Sequence, residues 1–174
     1  MRAVYPGAPG AFAHAACRAM LPEHDAQALP SFEAVAAALG SDPDLRGVLP
    51  VRNNIAGEVP GVQALISFRR LRALRSFDLQ VRLHLLGLPS CNGIDRLKMV
   101  VSHPIALAQC AKALSALDVA LIEAPSTALA AQSLSDSQTA VLASGEAADL
   151  YGLKILDRDL QVRVSITTFL LLRG

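Results

Sequence analysis

The chain has 174 residues, enough for one domain or for two small lobes that share a core. With 16 basic and 15 acidic residues its net charge is +1, which offers no electrostatic footprint for nucleic acid or for an anionic membrane. Mean hydropathy is +0.39 and 52% of residues are hydrophobic, yet no apolar run reaches the ~18 residues of a membrane span.

The opening MRAVYPGAPG has no apolar core before Pro6 and Gly7, so no signal peptide is expected. Cys17, Cys91 and Cys110 are an odd, scattered set without a CxxC pair, which reads as reduced thiols in the cytoplasm. His14, His24, His84 and His103 are equally far apart, so neither a metal site nor a cofactor is expected. Arg69, Arg70, Arg72 and Arg75 are the one basic cluster, and their spacing suits the solvated face of a helix.

Short apolar runs alternate with alanine-rich helical patterns, the signature of an α/β fold. In chain order, RAVY (2–5) reads as a strand and about 11–20 as a helix. SFEAVAAALG reads as a helix with Ser31 as N-cap and Gly40 as its stop. GVLPV is a strand, RNNIAGEVPG an irregular loop, 61–75 a helix and FDLQVRLHLLGL one strand. LKMVVS (97–102) runs as a strand into the helix HPIALAQCAKALSAL, with Pro104 in its first turn. DVALIEA is a strand, and Ser126 or Thr127 can cap the helix that follows. TAVLAS is a strand, GEAADLYGL a helix ending near Gly152, and LKIL and VRVSITTFLLL are closing strands.

Three expected helix starts, at Gly10–Phe12, Ser102–Pro104 and Pro125–Thr127, would present free backbone N–H groups to an anion. A substrate with one or two carboxylates suits such a set. There is no GxSxG, GxxxxGK[ST] or strand-linked GxGxxG, so hydrolase, P-loop and dinucleotide readings lack their motif.

Several segments resemble those of prephenate dehydratases, in the same order along the chain. They are YPGAPGAFAHAA (5–16), VLPVRNNIAGEV (48–59), VSHPIALAQC (101–110), STALAA (126–131), SGEAADLYGLKIL (144–156) and SITTF (165–169). The resemblance implies two small α/β lobes like a type II periplasmic binding protein with an interlobe cleft. About 1–76 plus 157–174 would form one lobe and 77–156 the other. It further implies a homodimer without cofactor, and loss of water and carbon dioxide from prephenate. Since the chain ends five residues after Phe169, it implies a catalytic domain without the regulatory domain that usually follows.

By the same resemblance Thr167 is the catalytic hydroxyl, donating a hydrogen bond to the leaving oxygen or relaying a proton. Asn53, Asn54, Ser126, Thr127, Gly10, Ala11, Phe12, Ser102, His103 and Phe169 fall at substrate-binding positions, with His103 equally suited to holding its turn. In an extended strand Ser165, Thr167 and Phe169 share one face and Thr168 the other. The chain also departs from the family pattern: Arg52 replaces a glutamate, Asn54 a serine or threonine, Thr168 an arginine and Ser165 an asparagine. Ala11 and Ala13 each replace a hydroxyl residue. Arg52 is therefore expected to supply the cation that position 168 has lost. These departures also admit a non-aromatising decarboxylase, or a dehydratase of another cyclic acid in a secondary-metabolite pathway. A non-catalytic protein that binds small carboxylates is the alternative of another class.

Overall fold

The computed structural model describes residues 2–174. In chain order the elements are β1 (Arg2–Pro6), α1 (Phe12–Met20), β2 (Asp25–Leu29), α2 (Phe32–Ser41), β3 (Arg46–Asn53), β4 (Gly57–Glu58) and α3 (Val62–Phe68). The long strand β5 (Arg72–Val81) and β6 (His84–Gly87) follow, then a 3-10 turn at Ile94–Arg96 and β7 (Met99–Ser102). The remainder is α4 (Pro104–Gln109), α5 (Ala111–Leu114), β8 (Ala120–Glu123), α6 (Thr127–Gln132), β9 (Thr139–Ala143), α7 (Gly145–Tyr151), β10 (Lys154–Asp157) and β11 (Ser165–Arg173). They divide into two α/β units, the fold class expected from the sequence.

The first unit takes the chain up to Ala8, Phe12–Gln80 and Ser165–Gly174. Its sheet has the order β2-β1-β3-β11-β5, with β4 paired to β3. β1 is parallel to β2 and β3, whereas β11 returns antiparallel to β3. One face of the sheet (Ala3, Tyr5, Val48, Phe169, Leu171) is covered by Ala13, Ala16, Cys17 and Met20 of α1. The other face (Val4, Leu49, Val51, Leu172) packs on α2 and α3 through Val35, Leu39, Val62 and Ile66. Burial on both faces explains why RAVYP and VLPV are near-continuous apolar runs rather than alternating ones.

The second unit takes Pro9–Ala11 and Val81–Val164. Its sheet has the order β10-β6-β9-β7-β8. β7 is parallel to β8 and β9, and β6 is antiparallel to β9 and β10. Small alanines of α6 and α7 (Ala130, Ala131, Ala147, Ala148) let these helices lie close on Leu86, Val141 and Ala143. The units thus divide at 80/81 and 164/165, where the resemblance places 76/77 and 156/157.

Several local expectations are corrected. The helix expected over 61–75 stops at Phe68, and Arg72 and Arg75 lie on β5. Leu71 is an apolar residue that must be buried two residues past the cap at Arg69, and it joins the α2–α3 core there. The basic cluster is therefore not a helical face. FDLQVRLHLLGL is two strands, interrupted at Arg82 and Leu83. DAQAL forms the edge strand β2, which its weak alternation does not announce. RNNIAGEVPG is a short antiparallel pair, because Arg52 and Asn53 still belong to β3 and oppose Glu58 and Gly57 of β4. Gly40 lies inside α2, which runs on to Ser41, and the helix after Pro104 breaks at Cys110. Ser31 caps α2 by accepting from Ala34 N at 3.2 Å, and Gly152 closes α7 with φ 63°, both as read from the sequence.

Candidate functional site

The register between β3 and β11 carries a bulge that decides which side chains meet. Phe169 opposes Pro50 and Thr168 opposes Arg52, so Val51 is an extra residue on β3. Pro50 has no N–H to give to the ladder, and a bulge is where a strand tolerates that loss. The consequence is positional: Asn53 comes opposite Thr167. Without the extra residue, Arg52 would stand there instead.

Asn53 then makes four hydrogen bonds. Its Oδ1 accepts from the backbone N–H of Ile55 (2.9 Å) and of Ala56 (3.0 Å). Those two donors fix the orientation of the carboxamide, because only the oxygen can accept them. Nδ2 must therefore point the other way, where it donates to Thr167 Oγ1 at 2.9 Å and to Ser165 Oγ at 3.0 Å. A hydroxyl that accepts from an amide keeps its own proton free to be given elsewhere. Thr167 is thus held as a donor, and this is the chemical capacity of the cluster. Ser165 is fully buried beneath it, while Thr167 is half-buried.

Asn54 holds the end of the same ladder. Its backbone N–H donates to Ile166 O at 3.0 Å and its Oδ1 accepts from Ile166 N at 2.7 Å. Thr168 donates to Asp78 Oδ1 at 2.6 Å, a contact with β5 that the sequence does not single out. Arg52 is exposed and forms no ion pair among the described residues. Phe169 is 2% exposed and lies in the core beneath α1, and Phe12 packs half-buried against that core. Phe169 is therefore a packing residue, whereas Phe12 keeps part of its ring exposed.

Of the expected ligand side chains in the second unit only Ser102 is buried, while His103, Ser126 and Thr127 are partly exposed. The Ser102 hydroxyl is fully buried and donates to Leu142 O at 2.7 Å, tying β7 to β9. His103 Nδ1 accepts from Ile105 N at 3.3 Å, which caps α4 and holds the turn. Ser126 Oγ accepts from Leu129 N at 3.0 Å as N-cap of α6, so of that pair the cap uses Ser126 and not Thr127. Helices α4 and α6 have six residues each, which leaves little dipole to offer an anion.

Gly10 and Ala11 form a loop fastened to α7. Ser144, unsuspected from the sequence, donates to Gly10 O at 2.9 Å while accepting from Ala147 N at 3.0 Å. Tyr151 donates to Pro9 O at 2.7 Å, and burial raises its phenol above the usual range. Gly10 has φ +82°, and a Cβ there would stand 3.1 Å from Ala147, so glycine is required by both backbone and space. The signal for Ser144 was present: a serine ending an apolar strand before GEAADLYGL is an N-cap pattern.

The three cysteines are buried and free. Burial pushes the Cys17 thiol up to about 11 and that of Cys110 up to about 12, so neither is a nucleophile near neutral pH. Among the described residues no three His, Cys, Asp or Glu side chains gather as a metal site. No helix of the described residues is long and apolar enough to cross a membrane.

Over residues 3–174 the chain matches the family model described as prephenate dehydratase. It is 35% identical to arogenate dehydratase/prephenate dehydratase 1, chloroplastic, of Arabidopsis thaliana, across 99% of this chain and 45% of that protein. The chain therefore spans less than half the length of this relative. Among solved structures it resembles a protein described as a novel type of quorum quenching acylase, GqqA. That match has a TM-score of 0.91 and 27% identity, covering 100% of this chain and 64% of the other. It also resembles the prephenate dehydratase of Staphylococcus aureus, with a TM-score of 0.86 and 23% identity, over 99% of this chain and 66% of the other.

Proposed function

Because the chain belongs to the prephenate dehydratase family, we propose that it removes water and carbon dioxide from prephenate or a closely related cyclohexadienyl carboxylate such as arogenate. The reading rests above all on the orientation of the Asn53 carboxamide, which leaves the Thr167 proton for an outside acceptor. The reaction needs little else at its centre. The ring hydroxyl must leave with a proton or a strong hydrogen bond, and the ring carboxylate then departs as the ring aromatises. A threonine hydroxyl is too weak an acid to give up its proton outright. Its role is to donate a hydrogen bond that strengthens as negative charge builds on the leaving oxygen, or to relay a proton.

An amide-cleaving reaction, by comparison, would need Thr167 as a nucleophile with a base to take its proton. The group bonded to Thr167 is the Nδ2 of Asn53, which cannot accept one. The cluster favours dehydration over acyl transfer for that reason. A decarboxylation that keeps the ring hydroxyl would leave the Thr167 donor without a leaving oxygen to serve, which again favours dehydration.

On this reading Arg52 is the candidate partner of a substrate carboxylate, and both units belong to one catalytic domain of phenylalanine biosynthesis. A homodimer located in the cytoplasm completes the proposal, the three buried free cysteines being in keeping with a reducing compartment. Incubation of the purified chain with prephenate, and separately with arogenate, tests it through ultraviolet absorbance and product mass. Phenylpyruvate or phenylalanine formed faster than in enzyme-free controls is the expected result. A product that has lost carbon dioxide but kept its ring oxygen, or no product from either acid, overturns it.

A further inference from the structure

Four arginines to which the dehydratase reading gives no task, Arg69, Arg70, Arg72 and Arg75, lie on one continuous stretch of the first unit. Phe68 closes α3 and is 81% exposed. Arg69 stands beside it, its guanidinium carbon 5.9 Å from the ring centroid. Arg70 has φ 54°, a left-handed backbone that disfavours a residue with a Cβ. The bonds Arg70 N to Ser67 O (3.1 Å) and Leu71 N to Ile66 O (3.0 Å) close the helix in a motif whose left-handed residue is usually glycine. A side chain is therefore present where its absence would suit the backbone better.

Two residues on, Arg72 opens β5, which is an edge strand of its sheet. The first five residues of β5 are exposed, so the strand presents backbone N–H and C=O groups without a neighbour on its outer side. Arg75 is tied to Met20 O at 2.9 Å. Arg69, Arg70 and Arg72 form no ion pair among the described residues.

We propose that residues 68–75 are a docking surface for an extended acidic segment of a partner protein. That segment adds a strand to the β5 edge, sets its carboxylates against Arg69, Arg70 and Arg72, and rests an apolar side chain on Phe68. Charge complementarity selects this occupant. Three guanidiniums without counter-ions are concentrated on a chain whose net charge is only +1. Single-stranded nucleic acid would find one aromatic platform where it uses several, and its phosphates, having no donors, would leave the C=O groups of the strand edge unpaired. A second copy joined through the same edge would bring two arginine rows together. Strand addition supplies affinity through the backbone, and the side chains supply the choice of partner.

The test uses the whole chain and a short fluorescein-labelled peptide alternating glutamate and valine, read by fluorescence anisotropy. A lysine–valine peptide and an oligouridylate of similar length serve as competing probes. The glutamate peptide is expected to bind, with slowed hydrogen exchange at the amides of 72–76. Arg69→Glu and Arg72→Glu should each weaken it about tenfold, with Phe68→Ala a few-fold effect. Thermal unfolding confirms that each variant is folded. Arg70→Gly should also bind more weakly while unfolding at a higher temperature, which separates the side chain's role from that of the helix cap. Equal binding of the lysine peptide, tighter binding of the oligouridylate, or affinity undiminished by the charge reversals overturns the proposal.

Discussion

Arg52 and Thr168 stand opposite one another across the antiparallel ladder of β3 and β11. Side chains so paired have Cβ atoms about 5 Å apart and share a face. Residues 52 and 168 therefore project from neighbouring points of the sheet. An exchange of cation between these two positions, as proposed for Arg52, would be one between neighbours. Thr168 meanwhile gives its proton to Asp78 at 2.6 Å.

If Arg52 binds a substrate carboxylate, Arg52→Ala should raise KM by about ten- to a hundredfold, the worth of a charge-assisted hydrogen bond. kcat should change far less. The double variant Arg52→Ala/Thr168→Arg should recover much of the loss. Steady-state kinetics on prephenate decide the matter, and an unchanged KM in the single variant rules the role out.

Asn53→Asp is a sharper test of Thr167 than truncation is. The carboxylate keeps the size of the amide and can still accept from Ile55 and Ala56. It cannot donate, so it would draw the Thr167 proton toward itself and away from substrate. The expected fall in kcat approaches that of Thr167→Val, about 10²- to 10⁴-fold. Thr167→Ser should retain substantially more activity. Full activity in Asn53→Asp would mean that the direction of this hydrogen bond is irrelevant to the reaction.

Arg70 gives a prediction about stability alone. Replacing it by glycine removes the Cβ from a left-handed position and should stabilise the fold by about 1 kcal/mol. Loss of a cation at the end of α3 offsets a few tenths of that. Urea unfolding, with an unchanged slope and a higher midpoint, is the expected observation. A lower midpoint would mean that the arginine side chain makes contacts worth more than the strain.

His84 links stability to pH. It is 6% exposed, and burial is the main cause holding its pKa below the ordinary value; nearby Arg158 and Arg82 act in the same direction. Asp159, whose carboxylate oxygen lies 3.9 Å from Nδ1, acts against them. Nδ1 also accepts from Asp159 N at 3.1 Å, a bond that requires the nitrogen to be unprotonated. Here the folded state binds the proton less readily than the unfolded chain does. Protonation therefore favours unfolding, and stability is lost as pH falls from about 7 through the unfolded value of ~6.5 toward the lower folded pKa. His84→Gln should flatten this part of the curve of unfolding midpoint against pH. An equal slope in both proteins would assign it to other groups.

Much of the fold is legible from local patterns because those patterns have local causes. Ser31 announces α2 because a hydroxyl there satisfies a free N–H, and Gly152 announces the end of α7 because the backbone turns left-handed. Where the reading fails, a non-local contact decides. The helix over 61–75 stops early because Leu71 is needed in the core between α2 and α3. DAQAL is a strand only because β1 lies beside it. Residues 77–88 divide into two strands because they serve two sheets.

The candidate site follows the same division. By itself the sequence determined which residue types are available: a threonine in a closing strand, an arginine and then an asparagine directly after VLPV, and a proline within that run. Only the tertiary structure decided how they meet. Pro50, unable to donate to the ladder, sits beside a bulge at Val51, and the bulge brings Asn53 rather than Arg52 opposite Thr167. It also decided that the Ser102 hydroxyl ties β7 to β9 and that Phe169 packs in the core beneath α1. The physical reason is that a hydroxyl becomes a donor or an acceptor through the partners around it, and the amide that makes Thr167 a donor lies more than a hundred residues away along the chain.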